Sequence, residues 1–160
     1  MGDFSHLKKG KAQMVDVSSK PQTHRRATSM AVVDTGKIDL KKALSKEAQR
    51  ELASTIRMAA IQAAKKTSEL IPLCHPLALE SVDCFVEFKN HVIVIECSAK
   101  TSGKTGVEME AMTGSAIAAL TAYDMVKSKC PEAYIQHVSL RYKEGGKSGV
   151  WKNNTKVTSL

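Results

Sequence analysis

The chain has 160 residues, which is the length of one domain and enough to bury a sizeable core. Charged residues make up 25% and hydrophobic residues 42%, as in ordinary globular proteins, and no apolar run approaches the roughly 20 residues of a membrane span. The four cysteines form no C-x-x-C pair, and the N-terminus lacks the apolar stretch of a signal peptide. The net charge of +8 favours an anionic partner. We therefore expect a cytoplasmic protein with reduced thiols and no metal site.

Polar, aperiodic segments mark the two ends of the chain. Residues 1–20 are basic and lack an apolar period, and residues 153–160 are similar. Such composition predicts mobile tails. A single domain is expected between them, at residues 21–152.

Apolar periodicity predicts six main elements in this domain. They are a strand at Thr28–Val33, a helix from Lys46 to about Lys66, strands at Leu79–Phe88 and His91–Ser98, a helix from Thr105 to about Lys127, and a strand at Ile135–Tyr142. Ser45 is a typical N-cap for the first helix. The order strand, helix, strand, strand, helix, strand predicts an α+β domain of the ferredoxin-like (βαββαβ) type. This fold is an antiparallel sheet with two long helices on one face.

Two loops have the composition of binding sites. Pro72 and Pro76 stiffen the segment Leu73-Cys74-His75, so that Cys74 and His75 could serve as nucleophile and base, or His75 as a base alone. The structural alternative is a loop histidine with a satisfied hydrogen bond. The second loop, Ser102-Gly103-Lys104-Thr105, resembles the end of a P-loop. However, Ser98 stands where the P-loop pattern requires glycine, so only a general preference for anions at the helix start remains.

The predicted second helix carries three acidic residues of interest. Glu108 follows Thr105 at the spacing of a capping box, which is a structural alternative to a role in binding. At about 100° per residue, Glu110 and Asp124 lie within about 40° of each other around the helix and share a face. Asp124 and Lys127 form either a surface salt bridge worth less than about 1 kcal/mol or a carboxylate–ammonium couple for proton transfer.

A basic ferredoxin-like domain could also bind RNA. RNA-recognition domains of this fold stack bases on aromatic residues of their central strands. The predicted strand His91–Ser98 has no aromatic residue, and Phe85 and Phe88 point to opposite faces of their strand. The stacking surface is therefore missing, which argues against nucleic acid as a partner.

Six segments, in collinear order over residues 14–152, resemble the MoaC family of molybdenum-cofactor biosynthesis. They are MVDVS at 14–18, AAIQAAKKT at 59–67, IPLCHPL at 71–77, GKTGVEMEA at 103–111, AALTAYDM at 118–125 followed by Lys127, and GGKSG at 145–149. Two of these strings, IPLCHPL and GKTGVEMEA, are too long and too specific for chance agreement.

The resemblance implies a substrate, a reaction and an assembly. The substrate would be 3′,8-cyclo-7,8-dihydroguanosine 5′-triphosphate, which the radical enzyme MoaA makes from GTP. The products would be cyclic pyranopterin monophosphate and pyrophosphate, so the enzyme would be a lyase. The family forms hexamers, each a trimer of dimers, with active sites at the dimer interface. No cofactor, nucleic acid or membrane is expected to take part.

The resemblance also implies site residues. It assigns catalysis to Asp124, with Lys127 as its partner. It assigns substrate binding to Leu73, Cys74, His75, Met109, Glu110, Arg25, Lys65, Glu108, Lys143 and Lys147.

One departure from the family pattern concerns a catalytic lysine. The family often has Lys-Gly-Asp near the start of the first long helix, where an ungapped alignment gives Gln49 in this chain. Lys46 or Arg50 would replace that lysine after a small shift. A catalytically inactive homologue and a non-catalytic module that binds nucleotide or RNA are therefore the alternative hypotheses.

Overall fold

The computed structural model describes residues 5–8, 10–147 and 149–154, and of Lys8 the backbone alone. The elements are β1 (Leu7–Lys8), β2 (Lys11–Ala12), β3 (Thr23–Asp34), α1 (Leu40–Ala43), α2 (Lys46–Lys65), α3 (Thr67–Leu70), β4 (Ser81–Lys89), β5 (Val92–Gly103), α4 (Glu108–Val126), β6 (Tyr134–Glu144) and β7 (Trp151–Lys152). In the described part of the chain, no helix has both the length and the apolar character needed to cross a membrane. A small hairpin of β1 and β2 lies within the predicted N-terminal tail, whereas residues 155–160 of the predicted C-terminal tail lie outside the described residues.

The main sheet has five strands in the order β4-β5-β3-β6-β7, and every neighbouring pair is antiparallel. Its four long strands and the two long helices follow one another in the chain as β3-α2-β4-β5-α4-β6. This order, with β3 and β5 at the centre of the sheet, confirms the predicted ferredoxin-like arrangement.

The two long helices begin in different ways. Ser45 caps α2 as predicted, because its side chain accepts a hydrogen bond from the Ala48 backbone N–H at 3.1 Å. The prediction for α4 was wrong by one turn. The N-cap of α4 is Val107, no side chain caps it, and Thr105 lies in the preceding loop. The capping-box explanation for Glu108 is therefore excluded.

Two central strands are longer than the sequence pattern predicts. β3 begins at Thr23 instead of Thr28, and β5 continues to Gly103 instead of ending at Ser98. These two extensions pair with each other, from Thr23 opposite Gly103 to Ala27 opposite Ala99. At its end, from Thr23 to Arg25 and from Thr101 to Gly103, the sheet is therefore polar and two-stranded.

The helices cover one face of the sheet and run in opposite directions, since each follows one of the antiparallel strands β3 and β5. The core between the layers includes Ile56 of α2 and Ile93 and Ile95 of β5, all fully buried. At Gly114 of α4 an added Cβ would lie 2.6 Å from the Cys97 sulfur, so the helix approaches the sheet very closely. The start of α4 therefore lies beside the end of α2, and the end of α4 lies near the start of α2.

Candidate active site

A cavity of about 500 Å³ opens between the polar end of the sheet and the start of α4; we call it the basic cavity. Its charged lining residues are Lys20, Arg25, Arg26, Lys104, Lys143, Lys147, Glu108 and Glu144. Six cations against two carboxylates make this a site for an anion. Arg25, Glu108, Lys143 and Lys147, four of the predicted substrate-binding residues, meet here.

Arg25 is held by the glycine loop that follows β6. Its guanidinium donates a hydrogen bond to the Gly145 carbonyl at 3.2 Å, and an added Cβ at Gly146 would lie 2.7 Å from one guanidinium nitrogen. Gly146 also has a φ of +68°, which few side chains tolerate. Because the loop encloses the guanidinium, Arg25 presents a well-positioned cation for phosphate.

A second cavity, of about 440 Å³, adjoins the first on the side of the proline-braced loop; we call it the loop cavity. Its lining includes the predicted residues Leu73, Cys74, His75, Met109 and Glu110. Lys20, Thr105, Gly106 and Glu108 line both cavities. The two cavities therefore meet at the segment that leads into α4.

Glu110 is the most perturbed carboxyl group of the site. It is only 4% exposed, and burial raises its pKa from 4.5 to about 7, with a smaller contribution from the charge of Glu108. Among the described residues, no cation forms an ion pair with it. A carboxyl group of this kind carries a proton for much of the time near neutral pH and can donate it.

Cys74 is half-buried beside Glu110. Burial raises the pKa of its thiol, and the charge of Glu110 raises it further. Because the thiolate is the reactive form of cysteine, both effects argue against Cys74 as a nucleophile. His75 is then the group of this loop that is suited to proton transfer.

Glu108 and Lys143 form an ion pair at the junction of the two cavities. The Lys143 ammonium donates to the Glu108 carboxylate at 3.1 Å, and both side chains are about two-thirds buried. Glu108 therefore fixes the position of the Lys143 ammonium, and does not act as the helix cap that the sequence spacing suggested.

The N-terminal segment reaches the basic cavity. The Lys104 ammonium donates to the Ser18 carbonyl at 2.8 Å, and the Ser18 N–H donates to the Asp16 carboxylate at 2.8 Å and lowers its pKa. Lys20 lines both cavities. Lys20 was missed as a site residue because residues 1–20 have no apolar period, although Asp16-x-Ser18 is a recognisable turn signal.

Lys65 lines neither cavity. It is exposed at the end of α2 and lines a groove along β4, together with Ile61 and Val82, and this groove meets the loop cavity at Leu77. Within the described residues, no set of three His, Cys, Asp or Glu side chains converges to hold a metal ion.

The predicted catalytic pair lies at the opposite end of α4. The Lys127 ammonium donates to the Asp124 carboxylate at 2.6 Å, and this hydrogen bond raises the pKa of Lys127. The two side chains are 56% and 68% exposed, respectively. At about 1.5 Å per residue, Asp124 lies about 21 Å along the helix from Glu110. Within one chain, the structure therefore does not bring Asp124 and Lys127 to either cavity.

The candidates for the missing lysine lie at the start of α2. Gln49 donates to the carbonyls of Lys41 and Leu44, both at 3.0 Å, so both amide hydrogens hold the turn before the helix. Lys46 and Arg50 are exposed on the same turn. Because α2 and α4 are antiparallel, Lys46 and Arg50 lie at the same end of the helix layer as Asp124.

Comparison with known proteins agrees with these features. The model of the MoaC family matches residues 14–146. A cyclic pyranopterin monophosphate synthase from Natranaerobius thermophilus is 43% identical over 155 residues, which cover 94% of this chain and 98% of the relative. The protein of the same name from Desulfatibacillum aliphaticivorans is 46% identical over 157 residues, which cover 96% and 99%. The chain therefore belongs to the MoaC family.

Proposed function

We propose that this protein is a cyclic pyranopterin monophosphate synthase that acts in molybdenum-cofactor biosynthesis. One observation carries the proposal: the similarity to synthases of that name extends over 94–96% of the chain and therefore includes both the cavities and the Asp124 end of α4. The proposed reaction converts 3′,8-cyclo-7,8-dihydro-GTP to cyclic pyranopterin monophosphate and pyrophosphate. Release of pyrophosphate makes the enzyme a phosphorus–oxygen lyase.

The charge of the basic cavity supports a triphosphate substrate. A triphosphate carries about four negative charges, and charge-assisted hydrogen bonds from arginine and lysine are the strongest that proteins offer to phosphate. Arg25, Lys143 and Lys147 lie around the cavity. We infer that they bind the phosphates, while the loop cavity receives the purine-derived ring beside His75 and Glu110.

Two kinds of chemistry are required of the site. The ring must be opened and closed again, which needs proton transfers by groups such as Asp124, Lys127 and His75. A sugar hydroxyl must then form a bond to the α-phosphorus while the bond from that phosphorus to pyrophosphate breaks. Positioning in line and neutralisation of charge by the surrounding cations would accelerate this step.

The distance between the two ends of α4 supports an active site built from two chains. A second copy would supply its Asp124 and Lys127 to the cavities of the first, as the family resemblance implies. Leu120, about one turn before Asp124, and Met125, directly after it, are 53% and 49% exposed, as expected of residues that a partner covers. We therefore propose a homo-oligomer, a hexamer composed of three dimers, located in the cytoplasm.

The experiment that tests the function is an assay of pyrophosphate release, with the cyclised GTP supplied by MoaA. The proposal predicts stoichiometric pyrophosphate and cyclic pyranopterin monophosphate. Absence of pyrophosphate from the purified, assembled protein would favour an inactive homologue. Absence of turnover together with tight, steeply salt-dependent binding of long RNA would favour a nucleic-acid module.

A further inference from the structure

The Glu108 carboxylate folds back over Gly106. An added Cβ at Gly106 would lie 2.6 Å from the Glu108 Cδ and 2.8 Å from its Oε1. Oε1 is the oxygen that accepts the hydrogen bond from Lys143. The space that a side chain at position 106 would need is therefore occupied by the group that holds Lys143.

Nothing in the backbone requires glycine at this position. The described glycines with positive φ are Gly10, Gly36, Gly145, Gly146 and Gly149, and Gly106 is not among them. The three atoms nearest to its added Cβ all belong to the Glu108 carboxylate. The requirement for glycine is therefore one of space, and the nearest obstacle to a side chain is the Glu108 carboxylate.

The location of this contact connects it to the proposed reaction. Gly106 and Glu108 line both the basic cavity and the loop cavity, and Lys143 lines the basic cavity. An ammonium group has three donor hydrogens, and Glu108 takes one of those of Lys143. With the carboxylate in place, the other two hydrogens are available to phosphate oxygens in the basic cavity.

We propose that Gly106 is a positioning residue: by lacking a side chain, it seats the Glu108 carboxylate against Lys143 and so directs that ammonium towards the phosphates. The effect on catalysis rests on the proposed function. A methyl group at position 106 displaces the carboxylate from Lys143, so that the ammonium loses the partner that orients it.

The first test is Gly106→Ala, measured against Gly103→Ala. The atoms displaced by the methyl group are the far end of a flexible side chain, so thermal stability should stay near that of the wild type. We expect kcat/KM to fall about tenfold, mainly through KM, as for the loss of one oriented ionic contact worth about 1.4 kcal/mol. At Gly103 an added Cβ meets its nearest atoms at 3.6–3.9 Å, which is ordinary contact, so Gly103→Ala should cause a much smaller loss than Gly106→Ala, and equal losses in the two variants would contradict the proposal.

Double variants separate positioning from a general structural effect. If Gly106 acts only through Glu108, then Gly106→Ala should cause no further loss in a Glu108→Ala background. Full additivity of the losses, or no loss from Gly106→Ala, would overturn the proposal.

A crystal structure of Gly106→Ala tests the position of the Glu108 carboxylate without any measurement of activity. The proposal predicts that the Glu108 carboxylate leaves Lys143, whereas an unchanged ion pair would contradict it. If wild-type protein releases no pyrophosphate but the carboxylate moves as predicted, the proposed function fails and the positioning role stands.

The matching solution experiment is titration with inorganic pyrophosphate, carried out on Gly106→Ala in the wild-type and the Glu108→Ala backgrounds. Its affinity should fall about tenfold on Gly106→Ala in the wild-type background only, and an equal fall in the Glu108→Ala background would overturn the positioning role.

Discussion

Helix α4 carries two carboxyl groups on one face, and their surroundings at the two ends of the helix differ. Glu110, near its start, is 4% exposed, and burial raises its pKa to about 7. Asp124, near its end, is 68% exposed at the side chain and holds Lys127 at 2.6 Å. Acidic residues on the same helix therefore differ in what they can do: desolvation raises the pKa of Glu110 and suits it to donate a proton, whereas Asp124 holds the Lys127 ammonium at the exposed end.

The groups proposed for the reaction are also divided between the two ends of the helix. The start of α4 faces two cavities with many cations, whereas its end presents an exposed ion pair and the exposed cations Lys46 and Arg50 of α2. Neither end alone has the groups that the proposed reaction needs. We infer that each end is half of a site, completed by the opposite end of a second copy.

The largest expected effect comes from removing the charge of Asp124. Asp124→Asn should lower kcat by at least about a hundredfold, the lower limit for the loss of acid–base catalysis. The folded structure should be unaffected, since the side chain is exposed and, within the described residues, forms its ion pair with Lys127. The measurements are steady-state pyrophosphate release and circular dichroism. Lys127→Ala should behave in the same way, and near-wild-type turnover of a correctly assembled Asp124→Asn variant would remove Asp124 from the mechanism.

The second effect concerns stability at the cavity end. Between pH 4.5 and about 7 the folded state binds more protons at Glu110 than the unfolded state does, so its contribution to stability falls as the pH rises through this window. Above the window the unfavourable contribution amounts to about 3 kcal/mol. Glu110→Gln should therefore raise the free energy of unfolding by up to about 3 kcal/mol at pH 8 and leave it unchanged at pH 4. Urea denaturation at both pH values measures this difference.

Asp124→Asn serves as the matched control for that experiment, since it makes the same chemical change at the exposed end of α4. It should show no comparable dependence of stability on pH. If the change in the free energy of unfolding depended on pH equally in Glu110→Gln and Asp124→Asn, the difference in burial between these two carboxyl groups would not explain it.

The smallest effect concerns Gln49. Gln49→Ala removes two hydrogen bonds to the carbonyls of Lys41 and Leu44 and should lower the free energy of unfolding by about 1 kcal/mol. Lys46→Ala and Arg50→Ala should leave the free energy of unfolding unchanged. If Lys46 or Arg50 takes the place of the family's catalytic lysine, the variant at that position should have a lower kcat. Loss of kcat in Gln49→Ala with unchanged stability would instead give Gln49 a role in catalysis.

Much of the fold could be predicted because the core elements follow the apolar periods of the sequence. The strand and helix order, the N-cap at Ser45 and the extent of α2 were all confirmed. The missed parts are the polar extensions of β3 and β5, where His24, Arg25 and Arg26 lie opposite Ser102, Thr101 and Lys100, respectively. The apolar pattern stops where the candidate site begins, so periodicity ended these strands too early.

The candidate site, like the strand ends, could be predicted from the sequence only in part. The sequence spacing correctly placed Glu110 and Asp124 on one face of a helix, but it gave no information on depth, and only packing buries one and exposes the other. Lys65 was assigned to substrate binding from the family resemblance. It lines the groove that meets the loop cavity at Leu77, and its role in binding stays a prediction.

The central claim is that one active site contains the cavity end of one copy and the Asp124 end of another. It is tested by mixing two inactive variants, Asp124→Asn and Arg25→Ala, under conditions where subunits reassemble. In a mixed dimer one site receives Arg25 from the first variant and Asp124 from the second, and the other site carries both substitutions. Random pairing should therefore restore about a quarter of the wild-type activity, given the two-fold symmetry expected of a dimer. Activity no higher than that of the separate variants, with mixed dimers demonstrated by mass spectrometry, would contradict the account.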